Sequence, residues 1–401
     1  MKVKDIIKLP ILYFLLVLSG FIKRNPNIWL FGNFSGSFSD NSKYLYLYTI
    51  KNTANINAIW ISKNRNTAKQ LKKQGLKAYY KRSLMGYFYS LQAGVFIYNG
   101  YVSDINEWTY RGALRISLWH GIPLKKIEFD IQNGTISNAF NNSLKSRFLY
   151  RSNYIKPDKL ITISPLAENL FRSAFKLNES QCWNIGYPRN DILKLSKSTV
   201  LKLLKKHNHS KIIDLIYKSK NYDKVYIYTP TWRDSGRDFI EEARIDLTKL
   251  DDFLYKKNIL FITKFHTNTS LKISSSSYKN IIALDAHDDV YPLLPFTDCL
   301  ITDYSSILFD YLHLNRKIIL FSFDIHKYLS ERELYFDYHT IFESFSIVND
   351  FNGLIRVMEE GCFEEPLKEN DKLLQLITPS IPGCACKNIT AKILEAQRKH
   401  K

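Results

Sequence analysis

Residues 298–314 read DCLITDYSSILFDYLHL, and this stretch decides the fold class. The apolar run at 299–301 has the length of a buried strand, and the longer apolar segment at 307–314 has that of a helix. A strand that leads through a short polar turn into a helix is half of a βαβ unit, from which parallel sheets are built. The stretch therefore predicts an α/β fold with a parallel sheet.

The same alternation of short apolar runs and helical patterns occurs in both halves of the chain. It restarts after a polar, lysine-rich stretch at 196–222. A chain of 401 residues also exceeds the usual size of one hydrophobic core. We therefore predict two doubly wound Rossmann-type domains, 25–195 and 223–401, joined by a linker at 196–222 and facing across a cleft. The predicted strands are 28–31, 58–61, 95–98, 114–118, 160–163, 225–228, 260–263, 281–284, 299–301 and 318–321, and the helices predicted in the first half are 41–52, 65–75, 82–91 and 165–176.

The composition indicates a globular protein with anionic partners. Hydrophobic residues make up 45% of the chain, and 57 Lys+Arg against 38 Asp+Glu give a net charge of +19. Nucleic acid is disfavoured as a partner, because no recognised nucleic-acid-binding motif accompanies the charge. The five cysteines lack the spacing of a disulfide framework or a zinc site, so we expect a reducing cytoplasm. A basic stretch without acids forms either a solvated helix face or a surface for anionic lipid or polyanionic polymer, and comprises Lys63, Arg65, Lys69, Lys72, Lys73, Lys77, Lys81 and Arg82.

Residues 1–24 are predicted to associate with the membrane. The apolar run at 9–22 is shorter than the roughly 20 residues that span a bilayer. Basic residues directly after the run, and the lack of a small-x-small cleavage pattern, argue against a cleaved signal peptide. We expect an uncleaved helix against the inner leaflet, with a packed core helix as the alternative. This expectation places the protein peripherally on the cytoplasmic face of a bacterial membrane.

Residues that directly follow the predicted strands are the candidate site residues, because ligands of open α/β sheets bind outside the carboxyl ends of the strands. Trp119, His120 and Gly121 follow the strand at 114–118, in a turn made rigid by Pro123. We predict that His120 is a general base, since an imidazole titrates near neutral pH. The alternative is a structural histidine.

A second histidine occupies the equivalent place in the other half of the chain. Lys264 and His266 follow the strand at 260–263. Two histidines, one from each sheet, suit a reaction in which one takes a proton and the other hydrogen-bonds a phosphate or a leaving group. Considered alone, His266 could equally well be a structural histidine, in the core or on the surface, whose hydrogen bonds are satisfied within the protein.

Ser305 and Ser306 form a candidate anion site at the start of the helix at 307–314. Free backbone N–H groups, the helix dipole and two hydroxyls would converge there. The ordinary alternative is that these serines are helix N-caps. Arg189 and Arg233 each lie in a loop fixed by a proline, and we predict that both pair with phosphate.

Seven motifs in a fixed order carry a family resemblance: DNSK (40–43), LWHGIPLK (118–125), GYPRND (186–191), PTWR (230–233), KFH (264–266), TDYSS with FDY (302–306 and 309–311) and YFD (335–337). With these motifs the chain resembles the CDP-glycerol glycerophosphotransferase family, the enzymes of teichoic acid and related capsule synthesis. The resemblance implies a metal-independent GT-B fold in which the first domain binds the acceptor and the second the nucleotide. No cofactor is expected.

The resemblance also implies the roles of the residues. His120 matches the family's proposed base, His266 its phosphate-side histidine, and Ser305 and Ser306 the residues that hold the pyrophosphate. Three positions depart from the family pattern: Glu128 stands where glycine is common, Thr267 replaces a proline, and a Pro-Gly expected after Asp337 is missing. The other residues that we expect to bind substrate are Trp119, Gly121, Lys125, Arg189, Arg233, Lys264, Asp303 and Arg332.

The reaction that follows is the transfer of a polyol phosphate. An acceptor hydroxyl, deprotonated by His120, attacks the β-phosphorus of CDP-glycerol or CDP-ribitol and expels CMP. The expected acceptor is a lipid-linked saccharide or polymer. One alternative is a sugar transferase of the same fold that uses a nucleotide sugar, which would release no CMP. The other is a non-catalytic polymer-binding protein, which need not retain both histidines and the serine pair.

Overall fold

The computed structural model describes residues 9–134, 136–206, 209–231, 233, 239–264, 278–285, 288–360 and 372–399. The chain folds as two compact units. Unit 1 comprises Met1–His120, Ile127–Asp191 and Thr378–Lys401, and unit 2 comprises Gly121–Lys126 and Ile192–Ile377. This division differs from the predicted domains, because the linker predicted at 196–222 lies in unit 2 and the end of the chain lies in unit 1.

Two amphipathic helices occupy the stretch predicted as a linker. They are Lys197–Lys206 and Ser210–Ser219, and they bury apolar side chains such as Leu204 and Ile216. Their lysines face solvent. The lysine-rich composition of this stretch therefore reflects the exposed faces of two helices rather than an extended connector.

The strands of the first sheet are β1 (Asn25–Gly32), β2 (Asn57–Ser62), β3 (Ala78–Tyr80), β4 (Ala93–Tyr98), β5 (Leu114–Ser117), β6 (Lys159–Thr162) and β7 (Cys182–Asn184). All of their pairings are parallel. Within the described residues their order is β3-β2-β1-β4-β5-β6-β7. The central strand β4 is buried at every position, as expected for a strand covered on both faces.

The strands of the second sheet, in unit 2, are β8 (Lys224–Tyr228), β9 (Ile259–Lys264), β10 (Ile281–Leu284), β11 (Cys299–Thr302), β12 (Lys317–Phe321) and β13 (Ser346–Val348). They too are parallel, in the order β10-β9-β8-β11-β12-β13 across the described part of the chain. Tyr228, Phe261 and Phe321 belong to the cluster of buried side chains that forms one core of this unit. The prediction of two doubly wound parallel sheets is confirmed.

All ten predicted strands are present, and the described residues form three further strands, β3, β7 and β13. The helices predicted in the first half are also present, as Asp40–Asn52, Arg65–Lys73, Leu84–Gln92 and Pro165–Phe175. The segment predicted as a helix at 307–314 forms the α-helix Ile307–Tyr311 followed by a 3₁₀ turn, Leu312–Leu314. The other α-helices that the structure describes are Leu9–Ser19, Leu144–Leu149, Phe239–Glu242, Leu247–Lys256, Ile325–Glu331, Tyr338–Ile341, Phe351–Glu360, Lys372–Ile377 and Ala385–Lys399.

The apolar N-terminal stretch forms the helix Leu9–Ser19. Across the described residues, no helix combines the length and the apolar character needed to cross a membrane. Ile11 and Phe14 on this helix are 64% and 66% exposed, and Phe21 just after it is 84% exposed. A core helix would bury these side chains, so the structure does not favour the packed-core alternative.

Candidate active site

His120 follows the carboxyl end of β5 in an unusual turn. Trp119 has a φ of 49° and Gly121 a φ of 128°, so both neighbours of the histidine adopt left-handed conformations. Such a conformation is open to glycine but costs an aromatic residue on the order of 1 to 3 kcal/mol. The imidazole stacks on the Trp119 indole with ring centroids 4.2 Å apart, and Phe175 packs edge-on against the same indole at 4.7 Å. The turn thus presents the imidazole on a rigid aromatic support.

One hydrogen bond sets the tautomer of His120. Its Nδ1 lies 3.4 Å from the backbone carbonyl oxygen of Asn99. A carbonyl can only accept, so Nδ1 carries the proton and Nε2 keeps the lone pair. Burial lowers the pKa of His120 from its ordinary value, the Asp40 carboxylate opposes this shift, and Arg189 adds to it. The neutral imidazole with a basic Nε2 therefore predominates near pH 7.

A buried arginine clamp holds the backbone of this turn. Nη1 of Arg189 donates to Oδ1 of Asp40 at 2.8 Å and to the carbonyl oxygen of His120 at 3.0 Å. Asn41 completes the clamp, because its Oδ1 accepts from the Arg189 amide at 3.1 Å and its Nδ2 donates to the Trp119 carbonyl at 2.9 Å. The DNSK and GYPRND motifs therefore meet at the histidine.

Asn99 links the histidine to the strand ends beside it. Its side-chain oxygen accepts from the amide and the hydroxyl of Ser42, at 3.0 and 2.9 Å. Its Nδ2 donates to Oδ1 of Asn33 at 3.3 Å, directly after β1. The residue whose carbonyl orients His120 is therefore itself fixed, because its side chain accepts from Ser42 and donates to Asn33.

The predicted residues Arg233 and Asp303 of unit 2 are partners of each other. Nη2 of Arg233 donates to Oδ2 of Asp303 at 2.8 Å, and its Nε donates to Oδ2 of Asp324 at 2.7 Å. Both ends of the Arg233–Asp303 pair are nearly fully buried. Four N–H groups of the guanidinium are occupied by these carboxylates and by the Thr231 carbonyl. Arg233 and Asp303 therefore bind each other within unit 2. Arg189 is likewise bonded to a carboxylate and a carbonyl of unit 1.

Aromatic side chains surround this ion pair. The ring of Tyr304 stacks on that of Tyr328 with centroids 3.8 Å apart, and the Arg233 guanidinium lies 5.0 Å from the centroid of Tyr304. The predicted residue Lys125 reaches the same group, with its Nζ 5.8 Å from the centroid of Tyr328. Lys125 of the LWHGIPLK motif therefore lies next to the ring pair that includes Tyr304 of the TDYSS motif.

The other predicted residues of unit 2 have more open surroundings. Ser305 and Ser306 are half-buried, and Ser306 precedes the helix without making a capping hydrogen bond through its side chain. The N-cap alternative therefore does not account for its hydroxyl. Lys264 is half-buried at the end of β9 and donates to the carbonyl of Asp288, and burial lowers its pKa. Arg332 ends the helix Ile325–Glu331 and is also half-buried.

His266 lies outside the described residues, as does Thr267, so their predicted roles stay predictions. Among the described residues, no group of three or more His, Cys, Asp or Glu side chains is placed to hold a metal ion. The sequence interpretation missed Asn99 and Asp324. Asn99 directly follows β4, and Asp324 comes shortly after β12. The rule that site residues follow strands, here called the strand-end rule, would have found both if it had been applied to every polar residue.

Asp191, the last residue of the GYPRND motif, anchors the end of the chain. Its carboxylate accepts from the amides of Ala385 and Cys386, at 2.8 and 2.9 Å, and from the thiol of Cys384 at 3.2 Å. A carboxylate at the start of a helix satisfies free N–H groups and the helix dipole. The helix Ala385–Lys399 is thereby fastened to the loop that carries the arginine clamp.

The family model described as CDP-Glycerol:Poly(glycerophosphate) glycerophosphotransferase matches residues 12–376. The chain belongs to this family. The prediction of a glycerophosphotransferase is confirmed at this level. Glu128, which stands where the resemblance implies glycine, has a φ of 52°, a conformation that favours glycine.

Relatives of this glycerophosphotransferase act in teichoic acid synthesis. It is 31% identical to the teichoic acid poly(glycerol phosphate) polymerase of Staphylococcus epidermidis over 87% of its own chain, and spans 46% of that protein's length. It is also 31% identical to the polymerase of the same name from Bacillus spizizenii, over 80% of each chain.

The solved wall teichoic acid polymerase TagF matches 99% of this chain and 96% of its own, with a TM-score of 0.73 and 26% identity. A histidine-to-asparagine variant of TagF was solved after a soak with CDPG. The likeness to TagF confirms the predicted GT-B-like fold with two Rossmann-type domains.

Proposed function

We propose that this glycerophosphotransferase moves a polyol phosphate from a CDP-activated donor to a hydroxyl of a membrane-linked acceptor and releases CMP. Glycerol phosphate is the favoured group and ribitol phosphate the alternative. Family membership and the CDPG soak of TagF support a CDP-glycerol donor. The observation that carries the proposal is the His120 imidazole, which is held with Nδ1 protonated toward Asn99 and Nε2 basic.

In the proposed step, the acceptor oxygen attacks the β-phosphorus of the donor while its proton passes to Nε2 of His120. A new P–O bond forms to the acceptor, and the bond between the β-phosphorus and the oxygen that bridges to CMP breaks. In phosphoryl transfer the protein contributes mainly the positioning of the reactants and the stabilisation of charge. The stack on Trp119 and the bond from Arg189 to the histidine carbonyl supply the positioning.

Residues of unit 2 are proposed to hold the diphosphate. Ser305 and Ser306 would donate hydroxyls, and Lys264 and Arg332 would supply positive charge. His266 would hydrogen-bond the phosphate as CMP leaves. We further propose that no resident metal ion takes part, and undiminished CMP release after EDTA treatment is the expected result.

The test is CMP release by the purified full chain, with bacterial membrane vesicles as the source of acceptor. CDP-glycerol, CDP-ribitol and UDP- or GDP-sugars are compared as donors. His120→Ala should lower turnover by about 10² to 10⁴, whereas the exposed His326→Ala serves as a control with unchanged turnover. Release of UDP or GDP instead of CMP, or normal turnover of the folded His120→Ala variant, would contradict the proposal.

We also propose that the N-terminal helix holds the protein on the membrane. Its exposed Ile11 and Phe14, together with Phe21, support this role, since burying each such side chain in lipid is worth roughly 1.5 to 3 kcal/mol. Phe14→Glu combined with Phe21→Glu should shift the protein from vesicles to the soluble fraction. Tyr255→Glu, which changes an exposed aromatic residue of unit 2, should not. Equal partitioning of both variants would refute the anchor.

A further inference from the structure

A cavity of about 670 Å³ opens in unit 1 at the amino ends of its strands. Pro26 of β1, Gly94 of β4, Leu114 of β5 and Lys159 of β6 line it, each at or near the start of its strand. The volume is that of an ordinary ligand site. His120 follows the opposite end of β5, and a four-residue strand spans about 13 Å. The cavity is therefore separate from the candidate active site.

The cavity is lined by unbalanced positive charge. Its cationic residues are Lys23, Arg24 and Lys159, and its one acid, Asp158, is paired with Arg115 at 2.5 Å. Among the described residues, none of the three cations forms an ion pair. A cavity with three cationic residues and a neutralised acid favours an anion.

Arg24 is a cation of this cavity that pairs with no acid among the described residues. Within the described residues its guanidinium donates only to backbone carbonyls, those of Ser19, Ser90, Ala93, Thr109 and Arg111. Its buried Nε has no hydrogen-bond partner in the described part of the chain. Burial lowers the pKa of Arg24 to about 10, so the group remains charged at neutral pH. Arg24 is half-buried, and a cation partly removed from water is stabilised by an anionic partner.

The N-terminal helix ends beside this cavity. Arg24 holds the carbonyl of Ser19, the last residue of that helix, and exposed Phe21 lies between the two. Apolar side chains next to a cationic cavity match the two parts of a phospholipid, an acyl chain and a phosphate head group.

We propose that this cavity binds a phosphate-bearing anion, either the head group of an anionic membrane lipid or a free phosphate. The site is distinct from that of the transferred group and does not depend on the proposed reaction.

Two lysines of one segment provide a matched test. Lys159 lines the cavity and Lys156 does not, although the side chains of both donate to a backbone carbonyl. Inorganic phosphate is titrated calorimetrically into the full chain, and vesicles of phosphatidylcholine with and without phosphatidylglycerol are co-sedimented with it. Lys159→Glu should weaken binding by at least about fivefold, and Lys156→Glu by much less. Lys159→Gln repeats the test if thermal melting shows that the glutamate variant is unfolded.

Each outcome bears on the proposal. A selective loss with phosphatidylglycerol vesicles alone identifies a lipid head group, and a selective loss with inorganic phosphate identifies a free phosphate. Equal effects of the Lys159 and Lys156 substitutions in both measurements would overturn the site. Binding of neither probe by the unaltered chain would overturn it as well.

Discussion

Glu128 is a buried acid whose replacement should stabilise the protein at neutral pH. Its carboxyl group is nearly fully buried, with Oε1 accepting from the Tyr101 hydroxyl at 2.6 Å. Its Oε2 is buried and has no hydrogen-bond partner among the described residues. Burial therefore raises the pKa of Glu128 from 4.5 to about 8, and the Tyr101 bond only partly opposes the shift.

The sign of the effect follows from proton binding. Between pH 4.5 and about 8 the folded state holds a proton that the unfolded chain releases, so stability falls as pH rises through this window. At pH 7 the loss is about 3 kcal/mol, from 1.36 kcal/mol for each pH unit above 4.5. Glu128→Gln cannot ionise, and its amide oxygen can still accept from Tyr101. We expect it to gain about 3 kcal/mol at pH 7 and almost nothing near pH 4.5.

The assay is urea unfolding followed by circular dichroism at about pH 5 and at pH 7. Glu107→Gln is the matched control, because burial raises the pKa of Glu107 but Lys81, at 2.7 Å, outweighs it and lowers the pKa overall. That variant should lose stability at pH 7. If Glu128→Gln were no more favourable at pH 7 than at pH 5, the reasoning would be refuted.

Three further predictions concern the carboxylates of Asp40, Asp324 and Asp191. Asp40→Asn removes a carboxylate that raises the pKa of His120, so the acidic limb of the pH profile of CMP release should move to lower pH, and a move to higher pH would contradict this. Asp324→Asn leaves Arg233 with one carboxylate and should destabilise the protein by about 2 to 4 kcal/mol in urea unfolding; a loss within error would contradict the buried pair. Asp191→Ala removes the acceptor of two helix amides and should destabilise the protein by about 1 to 2 kcal/mol, with faster amide exchange at Ala385 and Cys386 as the measurement; unchanged exchange would argue against the anchor.

The strands of four or more residues were predictable, and three shorter strands at the sheet edges were not. β4 and β11 are buried at every position, so each reads as an unbroken apolar run. β3, β7 and β13 are edge strands of three residues each, and a run of three leaves too little pattern to recognise. The helices Lys197–Lys206 and Ser210–Ser219 were not predicted for another reason. The linker there was predicted from the lysine-rich composition and not from the spacing of the apolar residues.

The positions of the candidate site residues at the strand ends were predictable, but which of these residues bind one another was not. The strand-end rule located His120, Arg233 and Asp303 from sequence. It does not tell which of the polar groups at a sheet edge bind one another, and that depends on strand order. Arg233 follows β8 and Asp303 follows β11, and these residues, 70 positions apart in the chain, come from strands that lie side by side in the sheet. Arg233 and Asp303, both predicted to bind substrate, therefore also form a buried ion pair with each other.

The return of residues 378–401 to unit 1 constrains the order in which the protein matures on the ribosome. Unit 2 is fully synthesised before the helix that Asp191 fastens has left the exit tunnel. N-terminal domains generally fold first during synthesis, but here unit 1, which carries His120, is completed last. A chain truncated after residue 377 would contain all of unit 2. Its unit 1 would lack the helix that Asp191 binds, next to the loop that carries the arginine clamp.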